Sequence, residues 1–279
     1  MLRIPAPAND VDTGALKGIA VTSVDNTNGT WEYTLDGTTW LSIGSVSTAS
    51  ARLLPSDATT RIRFVPNANW NGATGITMYK AWDQTSGSAG ALANVTTSGG
   101  TTAFSSGGVG SSLSVSAVND VPVNAVPVSQ TTGKNVTLVF SGANGNQISI
   151  SDVDAGASLV RVTLTGSNGT VTLSGTTGLS FTVGTGAADA TMTFTGTITN
   201  TNTALNGLSF APTTGYTGAA SLQVITNDQG NTGSGGALSD TDSVAISVTD
   251  ASFWLSSKQN ATSSGGSAGF AMSACANEL

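Results

Sequence analysis

Histidine is absent from this chain of 279 residues, and cysteine occurs once, at Cys275. A single cysteine cannot form an internal disulfide. Without histidine the chain cannot build a histidine-based catalytic triad, a histidine metal site or a histidine general base. These two absences exclude histidine-dependent catalysis and disulfide cross-linking within the chain.

Charged residues are also scarce. Asp, Glu, Lys and Arg make up only 9% of the chain, the net charge is −7 and the pI is near 4.2. No cluster of Lys and Arg provides the basic surface that a phosphate backbone or an anionic membrane requires. Nucleic acid and membrane surfaces are therefore not expected partners.

Long apolar runs are missing. No segment approaches the length of a membrane span, and MLRIPAPAND at the start shows no charged end followed by an apolar core, so no cleavable signal peptide is visible. No window has apolar residues at helical spacing. What the chain does have is 35 glycines, abundant Thr, Ser, Val and Asn, and short alternating runs such as RIRFVP and VRVTLTG. Short runs of alternating apolar and polar residues, separated by turn clusters such as TNGT and SNGT, predict an all-β sandwich or barrel.

Two segments occur twice in the same order. NDVDTGALKGIAVTS at positions 9–23 resembles SDVDAGASLVRVTLT at positions 151–165, which aligns Asp10 with Asp152. IRFVPNANWNGATGITMYKAWDQTSG at positions 62–87 resembles LSFAPTTGYTGAASLQVITNDQGNTG at positions 208–233, which aligns Phe64 with Phe210. Two matching blocks at nearly the same separation along the chain predict two copies of one structural unit.

We predict that the copies occupy residues 1–120 and 121–250, with residues 251–279 as a linker or tail. SSLSVSAVND and DSVAISVTD are interpreted as their equivalent last strands, and Pro122 and Pro127 stiffen the joint between them. Only MLRIPAPAN precedes DVD in the first copy, so we expect that copy to lack its first strand or two. Either the chain is a fragment of a longer array, or a neighbour supplies a strand by edge pairing.

Pairs of aspartates one residue apart recur in the two copies, as Asp10 with Asp12 and as Asp152 with Asp154. In an extended or turn segment this spacing points both carboxylates the same way. Calcium is bound by several oxygen ligands from carboxylates, amides and backbone carbonyls. The pairs are therefore candidate calcium ligands, and the alternative is that they are ordinary turn residues.

Asn119 and Asp120 lie where the last strand of the first copy meets the loops of the second. Together with the Asp152–Asp154 pair they could assemble a cation site that stiffens the joint. Asp83 and Asp228 stand at matching positions of the two copies. They are interpreted as caps of the following loops rather than as ligands.

Five aromatic residues of the first copy raise a second hypothesis, because exposed tryptophans stack on sugar rings. They are Trp31, Tyr33, Trp40, Trp70 and Trp82. A carbohydrate-binding or other ligand-binding face is the alternative function that they suggest. Trp31 and Tyr33 alternate within a strand, and Trp70 matches Tyr216, so packing in the core is favoured instead.

Catalysis is not expected. A pair of carboxylates can hydrolyse a glycosidic bond, but the only glutamates are Glu32 and Glu278, and the aspartates mostly lie in turn motifs that both copies share. A repeated motif indicates architecture rather than a single active site. Walker-type motifs are absent as well.

Several segments together resemble the cadherin-like and VCBS-type repeats of very large bacterial surface proteins. They are GTWEYTLDGTTW, ARLLPSDATTRIRFVPNANWNG, ISDVDAG, LNGLSFAPTTGYTG and the joint AVNDVP. The resemblance implies tandem immunoglobulin-like β-sandwich domains, an extracellular location on the cell surface, and a role in adhesion or in a biofilm matrix. It also implies partners among neighbouring repeats, copies of the same chain, or surface glycans and proteins.

The resemblance extends to calcium. AVNDVP resembles the cadherin linker and DVD resembles the cadherin DxD motif, which implies that Asn119, Asp120, Asp152 and Asp154 are ligands. Val118 stands where the cadherin linker usually has an oxygen ligand nearby, so a full set of cadherin calcium sites is not implied. The expected function is a structural spacer or adhesive region. A filament subunit completed by strand exchange is a further alternative.

Overall fold

The computed structural model describes residues 2–3 and 16–250. Almost all of the regular structure in these residues is β. The strands that precede the joint are β1 Leu2–Arg3, β2 Gly18–Ser23, β3 Gly29–Thr34, β4 Leu41–Ser42, β5 Ala51–Pro55, β6 Arg61–Pro66, β7 Gly72–Ala73, β8 Thr77–Trp82, β9 Leu92–Ala93, β10 Val109–Ser111 and β11 Ser114–Val115.

The elements that follow the joint include one short helix. They are β12 Val123–Ala125, β13 Gln130–Gly133, β14 Leu138–Phe140, β15 Ser149–Ser151, β16 Leu159–Ser167, β17 Gly169–Thr172, β18 Ser180–Val183, β19 Thr191–Thr197, α1 Ile198–Leu205, β20 Leu208–Pro212, β21 Gly218–Asn227 and β22 Ser239–Thr249.

The first sandwich consists of β1 to β11. A four-stranded sheet in the order β1-β6-β3-β4 faces a five-stranded sheet in the order β10-β8-β2-β5-β9, and β7 pairs with β11. Alternate residues of the facing strands point inwards and form one apolar cluster that includes Ile19, Trp31, Leu54 and Ile62. The sequence prediction of a β-sandwich is confirmed here.

The second sandwich consists of β12 to β22. A six-stranded sheet in the order β13-β22-β21-β16-β19-β18 faces the three-stranded sheet β14-β20-β17, and β12 pairs with β15. Their inward side chains form a cluster in which Phe140, Leu164, Phe194 and Phe210 are fully buried. The strands that follow the joint therefore also form a β-sandwich with a continuous apolar core.

The central strands pair in the same way in both sandwiches under the alignment found in the sequence. Val21 of β2 lies opposite Tyr79 of β8, and Thr163 of β16 lies opposite Ile225 of β21. The first repeated segment aligns Val21 with Thr163, and the second aligns Tyr79 with Ile225. The sequence similarity thus corresponds to equivalent strands in equivalent registers.

The facing sheets show the same correspondence. Trp31 of β3 pairs with Phe64 of β6, and Val171 of β17 pairs with Phe210 of β20. The final strands correspond as well. Val115 lies opposite Gly72, and Val248 lies opposite Gly218.

The two sandwiches differ in the strands at their beginning. β1 pairs antiparallel with β6 as β14 pairs with β20, so β1 is the equivalent of β14. Among the described residues, the first sandwich has no counterpart of β12 or β13. The expectation that the first copy lacks its leading strands stays a prediction.

Helix α1 was not expected from the sequence, because ITNTNTAL carries no apolar stripe at helical spacing. Thr197 caps its start by accepting a hydrogen bond from the Asn200 N–H, and Ala204 and Leu205 are buried. Asn202 exchanges two hydrogen bonds with the backbone of Ile150 in β15, both at 2.8 Å. Tertiary contacts therefore hold this helix. No helix in the described part of the chain has the length and apolarity of a membrane span.

Candidate functional site at the joint

The segment that leaves the first sandwich is fixed on a loop of the second. Val118 forms a parallel bridge with Ser234, which lies in the loop between β21 and β22. The Ser234 N–H donates to the Ala117 carbonyl at 3.1 Å, and the Asn119 N–H donates to the Ser234 carbonyl at 2.9 Å. The joint is thus a short piece of β-structure rather than a free linker.

Gly233 makes this close approach possible. Its φ is +120°, and a Cβ atom there would lie 2.7 Å from the Asn119 nitrogen and 3.0 Å from the Val118 nitrogen. A side chain at this position would therefore push the joint segment off the loop.

Asn119 is the central side chain of the joint. It is 5% exposed, and its amide group donates to Asp228 Oδ2 at 2.6 Å and to the Gly236 carbonyl at 2.8 Å. Asp228 is fully buried, and its other oxygen accepts from the N–H groups of Gly230 and Leu238. The three donors compensate the buried carboxylate, so Asn119 is needed to satisfy Asp228.

The Asp152–Asp154 pair lies at the same joint. Asp152 Oδ1 accepts from the N–H groups of Asp154 and Ala155, which closes a tight turn after β15. Asp154 Oδ2 accepts from the Asp120 N–H at 2.5 Å, and its backbone carbonyl accepts from the Thr232 hydroxyl at 2.9 Å. The structure therefore brings Asp120, Asp152 and Asp154 together through the backbone.

Two buried oxygens at the joint have no hydrogen-bond partner among the described residues. They are Asn119 Oδ1 and Asp152 Oδ2. Burying an unpaired oxygen is costly unless a donor or a cation satisfies it. Both atoms belong to residues that the sequence analysis predicts as ligands. Carboxylate and amide oxygens of this kind suit a hard cation such as calcium. Within residues 16–250, however, no group of three or more acidic residues stands in a metal-binding arrangement.

Asp10 and Asp12, the remaining nominated ligands, lie outside the described residues, as do Cys275 and the predicted tail at 251–279. Pro122, nominated as a stiffening residue, is buried, and Pro127 is half-buried. Asn124, between them, is held by Asp240, which accepts from its N–H at 2.7 Å.

Asp83 and Asp228 cap the loops that follow them, as expected. Asp83 accepts from the Thr85 N–H at 2.8 Å and from its hydroxyl at 2.7 Å. Asp228 combines its loop contacts with the bond to Asn119. Sequence reasoning did not anticipate that one of the two matching aspartates also anchors the joint.

The glutamine after each aspartate was missed altogether. Gln84 and Gln229 adopt positive φ values of 66° and 62°. Gln84 donates to the Lys17 carbonyl at 2.7 Å, and Gln229 donates to the Leu159 carbonyl at 2.8 Å. Lys17 and Leu159 are themselves aligned by the first repeated segment, so the bond is repeated. The shared Asp-Gln pair in WDQTSG and NDQGNTG was the available signal.

The aromatic residues mostly serve the core. Trp31, Tyr33 and Trp82 are 2%, 5% and 3% exposed, which confirms core packing and removes them from any ligand-binding face. Trp70 is half-buried and lies edge-on to Phe64, at 5.6 Å between ring centroids. The ring of Trp40 is covered by the Arg63 guanidinium at 4.1 Å. An arginine in that position competes with a stacked sugar.

Comparisons with known proteins leave the family open. No protein-family model and no curated protein matches the chain. Fifteen chains of solved structures match it. One is the crystal structure of human CDH23 EC21-23, with 12% identity, a TM-score of 0.39, and coverage of 88% of this chain and 67% of that chain.

A second match comes from a structure described as "Complete structure of manganese lipoxygenase of Gaeumannomyces graminis and partial structure of zonadhesin of Komagataella pastoris". It shows 9% identity and a TM-score of 0.24, with 88% of this chain and 82% of that chain covered. Similarity at this level assigns neither family nor function, and the fold assignment rests on the strand pairing.

Proposed function

We propose that this chain is a structural spacer, or part of an adhesive repeat region, of a bacterial surface protein. In this proposal residues 1–120 and 121–250 are two copies of one repeat, and the chain works outside the cell beside further repeats or copies of itself. Equivalent strand registers in the two sandwiches support the repeat, and the AVNDVP and DVD motifs motivate the surface role.

The fixed joint is the observation that carries the proposal. A spacer must hold consecutive domains in one orientation, and a flexible linker would not. Here the Val118–Ser234 bridge and the buried bond from Asn119 to Asp228 tie the connecting segment to the second sandwich. Bonds of this kind restrict rotation at the joint without requiring a large interface.

We further propose that calcium binds at the joint. Asn119 Oδ1 and Asp152 Oδ2 are the unpaired buried oxygens of the joint. Asp120 and Asp154, linked by the bond from the Asp120 N–H to Asp154 Oδ2, add two negative charges to the same joint. Calcium would neutralise this charge and satisfy both oxygens. Asp10 and Asp12 are proposed as ligands of the corresponding kind in the first copy.

Spin-label distance measurements test both parts of the proposal. Thr30 in β3 and Ser243 in β22 are exposed strand residues, and both would be changed to cysteine in a Cys275→Ser background. Pulsed electron paramagnetic resonance would then give the distribution of distances between the labels, in calcium and in chelator. We expect one narrow distribution in calcium and a broader one in chelator.

The variant Asp152→Ala/Asp154→Ala should give the chelator distribution under both conditions. Asp242→Ala in β22 is the matched control and should behave as the parent. A narrow distribution that is the same in calcium and in chelator would contradict calcium binding and would still agree with a spacer role. A broad distribution under all conditions would contradict the spacer itself.

A further inference from the structure

The second sandwich contains a strand that the first one lacks among the described residues. β13 runs parallel to the end of β22, with Thr132 opposite Val248 and Gly133 opposite Thr249. The Lys134 N–H then donates to the Thr249 carbonyl at 2.8 Å. β13 therefore covers the edge of the last strand and closes the sheet on that side.

The turn after β13 completes the closure. Asn135 Oδ1 accepts from the Gly215 N–H at 2.7 Å, and the Lys134 ammonium forms an ion pair with Asp250 at 2.9 Å. The segment 130–135 thus contacts both the last strand and the loop that follows β20.

Equivalent positions in the first sandwich are defined by the shared register. Val115 and Val248 lie opposite the equivalent glycines of β7 and β21. Ser116 and Ala117 therefore correspond to Thr249 and Asp250. The second repeated segment aligns Asn69 with Gly215.

A groove occupies this position in the first sandwich. Its volume is about 390 Å³, and it is lined by residues 66–71 and 115–118, together with Asp120 and Asp154. Within residues 2–3 and 16–250, β11 pairs with β7 alone, so its other edge carries no strand. The groove lies where residues 130–135 pack in the second sandwich.

Side chains near the groove are less buried than their equivalents in the second sandwich. Phe210 is fully buried and Val248 is 2% exposed. Their equivalents, Phe64 and Val115, are only half-buried. Pro212 is buried, whereas the equivalent Pro66 is exposed. Val115 and Pro66 line the groove, so a strand bound there would remove them from water.

We propose that this groove binds an extended polypeptide strand of the β13 type, supplied by another repeat of the same kind and added parallel to β11. Such a strand is rich in hydroxyl side chains and ends in Gly-Lys-Asn, like QTTGKN at residues 130–135. Asp120 and Asp154 line the groove and complement its lysine, as Asp250 does for Lys134. The inference rests on the repeat architecture of the proposed function. Because it shares Asp120 and Asp154 with the proposed calcium site, its binding tests are made in chelator.

A labelled peptide tests this directly. The peptide VPVSQTTGKNV, residues 126–136, would be titrated with the full chain and followed by fluorescence anisotropy. We expect saturable binding, no binding of a scrambled peptide, and about two- to fivefold weaker binding when the peptide lysine is replaced by glutamate, which is the range of an exposed ion pair. Ala117→Asp places an aspartate at the position equivalent to Asp250. It should strengthen binding of the lysine peptide by a similar factor, about two- to fivefold. Equal binding of the native and scrambled peptides overturns the proposal.

A fusion covers the case in which the free peptide binds too weakly to measure. The same peptide, joined to the N-terminus through a Gly/Ser linker, has a high effective concentration at the groove. The native fusion should raise the unfolding temperature above that of a scrambled fusion, and equal temperatures would contradict strand binding. If neither the peptide nor the fusion binds, the spin-label distances are unchanged. A failure of strand binding can therefore be told apart from a failure of the spacer proposal.

Discussion

The two sandwiches share the register of their central strands but differ in how completely their sheets are built. In the second, β21 and β22 run for 10 and 11 residues without a break. In the first, the same ladder is split into β7 with β11 and β8 with β10. At the break, Thr74 donates its N–H to the Leu113 carbonyl and accepts the Leu113 N–H on its hydroxyl. The pairing shifts by one residue across this break, from Ser111 opposite Thr77 to Ser114 opposite Ala73, whereas β21 and β22 keep one register throughout.

Edge strands differ more than central ones. In the second sandwich, β18 precedes β19 in the chain and flanks it, whereas in the first sandwich the strand flanking β5 is β9, which comes from the long segment after β8. That segment also covers the outer face of the sheet, where Leu53, Trp82, Val95 and Phe104 form a separate buried cluster. The first sandwich thus compensates for a shorter ladder with a second apolar layer.

The largest expected difference between the sandwiches concerns an equivalent pair of phenylalanines. Phe210 is fully buried, and Phe64 is half-buried. Phe210→Ala should cost about 3–5 kcal/mol of unfolding free energy through lost burial and a cavity, and Phe64→Ala should cost about half as much. Denaturant unfolding of both variants measures this. Equal costs would mean that the lower burial at Phe64 has no energetic consequence.

The glutamines at positive φ should behave alike. Gln84→Ala removes a hydrogen bond to the Lys17 carbonyl, just before β2, and Gln229→Ala removes one to the Leu159 carbonyl, at the start of β16. Each change should cost about 1 kcal/mol. Gln→Glu at either position keeps the length but loses the donor, and it is the matched control. An effect in one sandwich only, seen in the same unfolding experiment, would show that the shared motif does not have a shared role.

The smallest expected effect is a pH dependence confined to a turn of the first sandwich. The pKa of Asp36 is lowered by the hydrogen bond from the Thr39 N–H and by further bonds from Thr38 and Thr34. A carboxyl group whose pKa is lowered in the folded state stabilises the fold above its unfolded pKa, about 3.9, and this contribution is lost as the pH falls through the folded pKa.

Asp36→Asn should therefore be less stable than the parent at neutral pH, and the gap should close as the pH drops below about 4. Unfolding free energies measured across this pH range provide the test. A gap that does not change with pH would show that the charge of Asp36 is not what stabilises the turn.

The fold could be predicted from the sequence because its signals are local. Alternation in RIRFVP and VRVTLTG indicates strands with one buried face, and the recurrence of whole segments indicates the repeat. Helix α1 was missed because its stability comes from Asn202 bonding to Ile150, a contact between distant segments. The assignment of β9 and β18 to their sheets depends on such contacts as well.

The joint could be located but not described in detail. Asn119, Asp120 and the Asp152–Asp154 pair do meet there. An Asp that caps a turn and an Asp that binds an ion look identical in a sequence, because both stand beside Gly and Asn. The partner of Asn119 is Asp228, which is 109 residues away in the chain. No local pattern encodes a contact of that range.

Amide hydrogen exchange at the joint is the most direct test of the central claim, that the connecting segment is bonded to the second sandwich. The N–H groups of Asn119, Asp120 and Ser234 each donate to a specific oxygen across the joint. We predict that they exchange as slowly as amides in the neighbouring strands, roughly a thousandfold or more below the rate of an unstructured peptide. Exchange at the unstructured rate, while strands β16 and β21 stay protected, would contradict the account.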